Sequence, residues 1–148
     1  MDEVEVEFHS ETYDSYIKPV DNKYAGFANQ LLADFKRYKQ SQGDDLPSYF
    51  GRDAPYHYPP SVAYCLQHIH LCIPPRRFKS NRPQNDRTCR TGQPENDIAL
   101  IYAQNKYDLY KYVIIGVLMP DAHKTARNDS LMMRLGSIAR SYQNSFID

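Results

Sequence analysis

The 148-residue sequence predicts an α+β domain in which a small antiparallel sheet packs against an N-terminal and a C-terminal helix. The first observation is an apolar run at residues 112–119, which is typical of a central strand covered on both faces. The second is strand-like patterning at 62–73 and 97–104. The third is helical periodicity on either side of these strands, at 25–42 and 128–146.

The first 22 residues are strongly acidic, because seven Asp and Glu residues face a single lysine, Lys18. Their charge is −6, and since the whole chain is neutral, residues 23–148 carry +6. We expect residues 1–22 to be an acidic N-terminal extension of a single domain at 23–148. Residues 4–6 alternate as in a strand, so the extension is either an added edge strand or a solvated arm. Such an arm could also dock on the basic body and compete with a polyanion.

Residues 25–42 form the first predicted helix. Its apolar side chains recur at spacings of four and three, which places them on one face: Phe27, Leu31, Phe35 and Tyr38. Basic residues near its end complement the helix dipole, and Gly43 follows where helices commonly stop.

Residues 46–60 are rich in proline and tyrosine, and we predict an irregular connection that packs on the domain. Arg52 precedes Asp53 within it. Two interpretations stay open for this arginine. It either forms an ion pair with Asp53 that holds the loop, or its guanidinium faces a phosphate.

Alternate side chains of the predicted strand at 62–73 point to opposite faces. Ile69 and Leu71 point towards the helices, which leaves His68 and His70 on the face away from the core. Two histidines on one face are half of a metal site, but no cysteine or acid stands nearby at ligand spacing, and we predict no metal. Histidines without a role, and histidines that act as acid and base or bind phosphate, are the remaining interpretations.

Residues 74–95 lack periodicity and are dense in arginine, which predicts an exposed, mobile basic loop. Arg76, Arg77 and Lys79 are among its cations. A basic body fits a polyanionic partner such as a nucleic acid, although a merely solvated surface is the alternative.

A short turn at 105–108 joins the strands at 97–104 and 112–119, so these two form an antiparallel hairpin. Pro120 ends the second strand because it has no N–H to give to a ladder.

The segment after Pro120 is a short charged loop held between a buried strand and a helix, an arrangement on which sites are often built. It carries His123, Lys124 and Arg127. Residues 128–130 can each cap the last helix. The apolar positions predicted for this helix are Leu131, Leu135, Ile138, Ala139, Tyr142 and Phe146.

Composition narrows the class of protein further. The three cysteines lack metal-type spacing and fit free thiols in a reducing cytoplasm. No apolar run approaches the roughly 18 residues that span a bilayer, and no signal peptide is visible.

Several short motifs, taken in order, resemble the YafO toxin family. They are Leu46-Pro47, Phe50-Gly51-Arg52-Asp53-Ala54, His68-Ile69-His70-Leu71, and Pro120 followed by His123-Lys124 and Ala126-Arg127. The resemblance runs from about Leu31 to Phe146, and the ordered combination is more specific than any single motif. The acidic segment and a longer loop at 79–95 depart from the family pattern.

Members of that family are ribosome-dependent mRNA interferases of bacterial type II toxin–antitoxin systems. The resemblance therefore implies a cytoplasmic endoribonuclease that cleaves mRNA by metal-free attack of a 2′-OH and needs no cofactor. It implies the ribosome, mRNA and a YafN-like antitoxin as partners, and no membrane. A RelE-like fold follows only by analogy.

This reaction needs a base for the 2′-OH proton, cations for the charged phosphorane, and help for the leaving 5′ oxygen. We expect His70 to act as acid or base, with Arg52 and Arg127 on the phosphate and Lys124 assisting. His68 and His123 are alternates for His70. The basic-loop cations would bind RNA, and three tyrosines would stack on bases or else simply pack: Tyr49, Tyr56 and Tyr102. A toxin that inhibits by binding, or a nucleic-acid-binding regulator, is the alternative function.

Overall fold

A five-stranded sheet forms the centre of the fold in the computed structural model, which describes residues 2–89 and 92–146. Its strands are β1 (Glu5–Phe8), β2 (Phe50–Pro55), β3 (Gln67–Leu71), β4 (Ile98–Gln104) and β5 (Lys111–Leu118). They lie in the order β1-β5-β4-β3-β2, with β1 parallel to β5 and the other neighbours antiparallel. The α+β class is confirmed. The expectation of a purely antiparallel sheet is wrong, because the N-terminal segment adds a parallel edge strand.

Within the described residues, two long α-helices cover the sheet and three short ones connect the elements. They are α1 (Tyr13–Tyr16), α2 (Lys18–Lys23), α3 (Phe27–Gln40), α4 (Ala122–Thr125) and α5 (Asp129–Gln143). Of the three caps that the sequence allows at 128–130, the helix uses Asn128, whose Oδ1 accepts the N–H of Leu131 at 3.1 Å. None of the helices described is both long and apolar enough to cross a membrane.

The sheet separates two apolar cores. Helix α3 packs Leu31 and Phe35 against one face, and α5 packs Leu135 against the other. The adjacent residues Ile114 and Ile115 of β5 belong to different cores, which confirms that this strand is covered on both faces. The face that carries the two histidines of β3 therefore packs under α5, and the expectation that it lies away from the core is wrong.

The apolar positions of α5 were predicted with two errors. Met132 is fully buried although the spacing did not select it, and Phe146 is 79% exposed because the helix ends before it. Leu135, Ile138 and Ala139 are buried as predicted.

The acidic N-terminal segment is an edge strand followed by two short helices, and the alternative of a solvated arm is wrong for the described residues. Val4 and Ile17 are 3% and 2% exposed. Thr12 Oγ1 donates to the carbonyl of Ile115 at 2.5 Å. A Cβ on Gly116 would lie only 2.5 Å from Cβ of Tyr16, so the glycine allows α1 to approach β5. These contacts tie the segment to the central strand.

The connection at 46–60 contains a strand that the prolines and the glycine led us to exclude. β2 pairs with β3, and Phe50 is fully buried. Pro55 is tolerated because it ends an edge strand, where one N–H has no ladder partner to lose. At Gly51, a Cβ would lie 2.2 Å from the carbonyl oxygen of Arg87, so the following basic loop crosses close to this strand.

Part of the basic loop is fixed on the domain, which corrects the expectation of a wholly exposed, mobile segment. The N–H of Arg52 donates to the carbonyl of Arg87 at 2.9 Å. Arg87 is itself 7% exposed and donates Nε to the carbonyl of Arg82 at 2.9 Å. Residues 90 and 91 of the predicted loop lie outside the described residues.

Candidate active site

A row of three histidines runs across the face of the sheet that lies under α5. His68 and His70 are two residues apart on β3, so their side chains share a face, as predicted. His123 comes from α4, after β5. The ring centroids of His68 and His70 are 5.5 Å apart, and those of His70 and His123 are 5.6 Å apart. The structure therefore brings the three predicted histidines together from distant parts of the chain.

Asp97 fixes the orientation of His123. This carboxylate directly precedes β4 and is 1% exposed. Its Oδ1 lies 2.7 Å from His123 Nδ1, and its Oδ2 accepts the backbone N–H of His123 at 2.9 Å. A buried carboxylate bonded to Nδ1 places a proton there, so Nε2 of neutral His123 is an acceptor. Asp97 was not among the residues predicted from sequence, although an acidic residue directly before an apolar strand was an available signal.

His70 has the opposite arrangement of donor and acceptor. The N–H of Cys89 donates to His70 Nδ1 at 3.0 Å, so Nδ1 must be unprotonated. Burial lowers the pKa of His70 to about 4, and the nearby His123 acts in the same direction. At neutral pH the ring is therefore uncharged, with its proton on Nε2. The basic loop determines this tautomer through one backbone N–H, which no side-chain pattern could have predicted.

His68 packs face to face with Tyr56. Their ring centroids are 4.0 Å apart with an interplanar angle of 13°. Burial lowers the pKa of His68 to about 4, with the neighbouring His70 as a second cause. A neutral imidazole stacked in this way fits a structural or orienting role better than a role in proton transfer.

Arg52 lies near this row and does not pair with Asp53, which corrects one of the two interpretations. Asp53 points to the other core, where its oxygens accept from Tyr102 at 2.6 Å, Tyr38 at 2.8 Å and Lys39 at 3.1 Å. Arg52 is exposed, and its charge lowers the pKa values of both β3 histidines as a minor cause. Consecutive residues of a strand point to opposite faces, so the network around Asp53 and the exposed guanidinium belong to different sides of β2.

Two further cations follow His123 in the chain. Lys124 and Arg127 are exposed, and neither forms an ion pair with any residue in the described ranges. Ala126, which directly precedes Arg127, lines the small cavity beside the histidines. Both cations are thus available to an anion that approaches the row.

The predicted basic-loop cations are Arg76, Arg77 and Lys79. Arg76 donates to Asn96 Oδ1, while Arg77 and Lys79 border a shallow depression with Phe78. All three cations are exposed and available to a polyanion.

Two of the three tyrosines predicted to stack on bases are buried. Tyr49 is 3% exposed and donates to Asp34 Oδ2 at 2.6 Å. Tyr102 is 3% exposed and donates to Asp53. Neither ring has a free face, so only Tyr56 of the predicted set lies at the histidine row.

The cavity beside the row has a volume of about 30 Å³, close to the room that one water molecule needs. Its lining includes the histidine row, Tyr56 and Asp97. A nucleotide cannot enter such a space, so a substrate must lie across its mouth and direct only its reacting atoms inward. Within residues 2–89 and 92–146, no three or more His, Cys, Asp or Glu side chains are arranged so that they could hold a metal ion.

The chain is similar to known proteins over the region that contains this site. Residues 36–144 match a family described as Toxin YafO, type II toxin-antitoxin system. An mRNA interferase toxin YafO from Escherichia coli (strain K12) is 34% identical over 121 residues, which cover 78% of this chain and 85% of the relative. No solved structure matches the chain, so the analogy to RelE-type folds has no structural support. All the histidines of the row and Asp97 lie inside the matched region.

Proposed function

We propose that the histidine row cleaves RNA by attack of the 2′-OH on the neighbouring phosphate. The premise is that the chain belongs to the YafO family of type II toxins, and is therefore an mRNA-cleaving toxin whose partner is an antitoxin. The observation that carries this proposal is the opposite proton arrangement of two neighbouring rings. His123 presents an acceptor Nε2, and His70 presents a donor Nε2. The two ring centroids are 5.6 Å apart. Transesterification uses a base to take the 2′-OH proton and a nearby hydrogen-bond donor to stabilise the charge on the phosphate, and these two rings supply both.

His123 is the general base of the proposed reaction. Its Nε2 takes the proton of the 2′-OH, and the resulting imidazolium is stabilised by the buried carboxylate of Asp97 at 2.7 Å. The 2′ oxygen then bonds to phosphorus. This assignment moves the proton-transfer role from His70, the first choice from sequence, to its alternate His123.

His70 stabilises the phosphorane. Its pKa of about 4 leaves almost no imidazolium at neutral pH, so it is a poor general acid and a fixed N–H donor instead. A donor held in place by Cys89 needs no reorganisation as negative charge develops on a non-bridging oxygen.

The exposed cations hold the phosphate and assist the leaving group. Arg52 and Arg127 grip the non-bridging oxygens, because a guanidinium binds two oxygens at once. Lys124, next to His123, donates a proton to the departing 5′ oxygen. Arg76, Arg77 and Lys79 extend the positive surface along the RNA.

The chemistry of the product ends tests this mechanism. Transesterification leaves a 2′,3′-cyclic phosphate on one fragment and a 5′-OH on the other, whereas hydrolysis by attack of water can leave a 5′-phosphate. Transcripts should be mapped at their 5′ ends after brief expression, with and without active translation, and the purified toxin should be assayed on programmed ribosomes with and without EDTA. Cleavage that gives 5′-OH ends and survives EDTA supports the proposal. Ends with 5′-phosphate, or growth inhibition without any cleavage, would overturn it.

The exposed cations also indicate how the toxin meets its mRNA and its antitoxin. We infer that translating ribosomes present the mRNA in the cytoplasm, and that an acidic segment of a YafN-like antitoxin covers the basic surface. Binding of the antitoxin should then weaken as salt rises. Tight binding that is independent of salt would contradict electrostatic masking.

A further inference from the structure

Tyr64 has an unusual backbone conformation for a large exposed side chain. Its φ is +67°, in the left-handed region that glycine and asparagine adopt most easily. Its ring is 66% exposed, so packing of the side chain offsets little of this unfavourable backbone conformation. Glycine or asparagine would adopt this backbone conformation at a lower cost. Strain of this kind, retained at the surface, points to a role for the ring itself.

The surrounding chain holds this conformation. The N–H of Tyr64 donates to the carbonyl of Tyr56 at 3.0 Å, and the side-chain amide of Gln67 donates to the carbonyl of Tyr64 at 3.4 Å. The ring of His57 meets the Tyr64 ring edge to face, with centroids 5.2 Å apart. The Tyr64 ring thus has an aromatic neighbour in His57 and still leaves 66% of its surface exposed.

Tyr64 is connected to the histidine row through Tyr56. Tyr56 stacks on His68 at 4.0 Å, and its carbonyl accepts the N–H of Tyr64. Ring contacts link His123, His70, His68 and Tyr56 in that order, and the backbone hydrogen bond joins Tyr64 to the Tyr56 end of this series. An RNA strand that places its phosphate at the first two histidines would bring a neighbouring base over the far end of the row.

We propose that Tyr64, supported by His57, is a stacking platform for the mRNA base next to the scissile phosphate. This inference rests on the proposed function, because the phosphate must lie at His70 and His123. Stacking on one aromatic face accepts any base, and it fixes the direction in which the strand crosses the site. Arg52, whose charge acts on His68 and His70, would attract the backbone of the same strand.

Fluorescence of a base analogue tests the platform directly. The probe is an mRNA with 2-aminopurine beside a 2′-deoxy nucleotide at the mapped cleavage site, loaded on ribosomes. Wild-type toxin should quench the 2-aminopurine, and Tyr64→Ala should lose the quenching and bind roughly 5- to 100-fold more weakly. Tyr64→Trp should keep both. Tyr110→Ala is the matched control, since Tyr110 is 42% exposed beside β1 at the other edge of the sheet.

A second substitution separates binding from folding. Tyr64→Gly removes the ring and the backbone strain together, so its melting temperature should rise while RNA binding falls. Quenching that persists in Tyr64→Ala would overturn the platform, as would a loss of antitoxin binding with RNA binding unchanged. The 2′-deoxy probe cannot be cleaved, so stacking is measured independently of catalysis. If the wild-type toxin did not cleave mRNA on programmed ribosomes but its quenching still depended on Tyr64, the result would contradict the proposed function and not the stacking platform.

Discussion

Asp97 contacts His123 with both carboxylate oxygens, one 2.7 Å from ring Nδ1 and the other 2.9 Å from the backbone N–H. The two residues are 26 positions apart in the chain, and the carboxylate is 1% exposed. A buried carboxylate that holds both the ring and the backbone of one histidine leaves the ring little freedom to rotate. His123 is thus the most firmly oriented member of the row.

Asp97→Asn should slow cleavage by roughly 100- to 10,000-fold, the range expected for a general base held in the wrong tautomer. The amide can still accept the backbone N–H of His123 but can donate to Nδ1, which moves the proton to Nε2. The rate on programmed ribosomes should be measured across pH together with the melting temperature. A folded variant with the wild-type pH–rate profile would show that Asp97 does not set the tautomer.

Two substitutions of His70 distinguish the role of its Nδ1 acceptor from that of its Nε2 donor. His70→Asn keeps an acceptor near the Nδ1 position for Cys89 but removes the Nε2 donor, so it should fold and lose roughly 10²–10³ in rate. His70→Gln places an amide N–H near the Nε2 position and should retain more activity. Single-turnover cleavage rates compare the two. Equal rates for both variants, close to wild type, would remove His70 from the site.

Folding stability should depend on pH through His68 and His70. The pKa of each falls from about 6.5 unfolded to about 4 folded, so the unfolded chain binds more protons between these values. The contribution of these histidines to the free energy of unfolding is therefore fully present above pH 6.5. It is lost as the pH falls to 4, by roughly 1–3 kcal/mol per histidine. The charged and titratable groups around them are Arg52, Asp53, Asp97 and His123. Urea unfolding at several pH values measures the slope, which the double variant His68→Gln/His70→Asn should flatten.

Arg52→Lys and Arg127→Lys should each slow cleavage by roughly 10- to 1,000-fold, because lysine keeps the charge but loses the fork. Arg134, an exposed arginine of α5, provides the matched control as Arg134→Lys. Its rate should be unchanged. A wild-type rate for Arg52→Lys would place this side chain away from the phosphate.

Ile17→Ala should destabilise the protein by roughly 2–5 kcal/mol, since Ile17 is 2% exposed in the core under α3. The neighbouring exposed residue supplies the control, and Lys18→Ala should change stability by less than about 0.5 kcal/mol. Removal of residues 2–20 should likewise unfold the chain rather than tighten RNA binding. A truncated chain that keeps its melting temperature would show that the segment is separable from 23–148.

Local patterns were sufficient for several features. Alternation along one strand determined that His68 and His70 share a face, and helical spacing selected the buried residues of α3. Side-chain chemistry limited the cap of α5 to residues 128–130, among which the structure uses Asn128. Each of these depends on interactions within a few residues, which the order of amino acids specifies directly.

The tertiary structure alone decided which histidine has which proton. Asp97 meets His123, and Cys89 meets His70, only because strands β3 and β4 and the loops around them are brought together by folding. Tyr49 and Tyr102 carry the same side chain as Tyr64, yet they are buried in the core that α3 covers, whereas Tyr64 lies in an exposed turn. The parallel edge strand β1 likewise depends on pairing across more than 100 residues. Contacts between distant segments are set by the packing of whole elements, and no local periodicity encodes them.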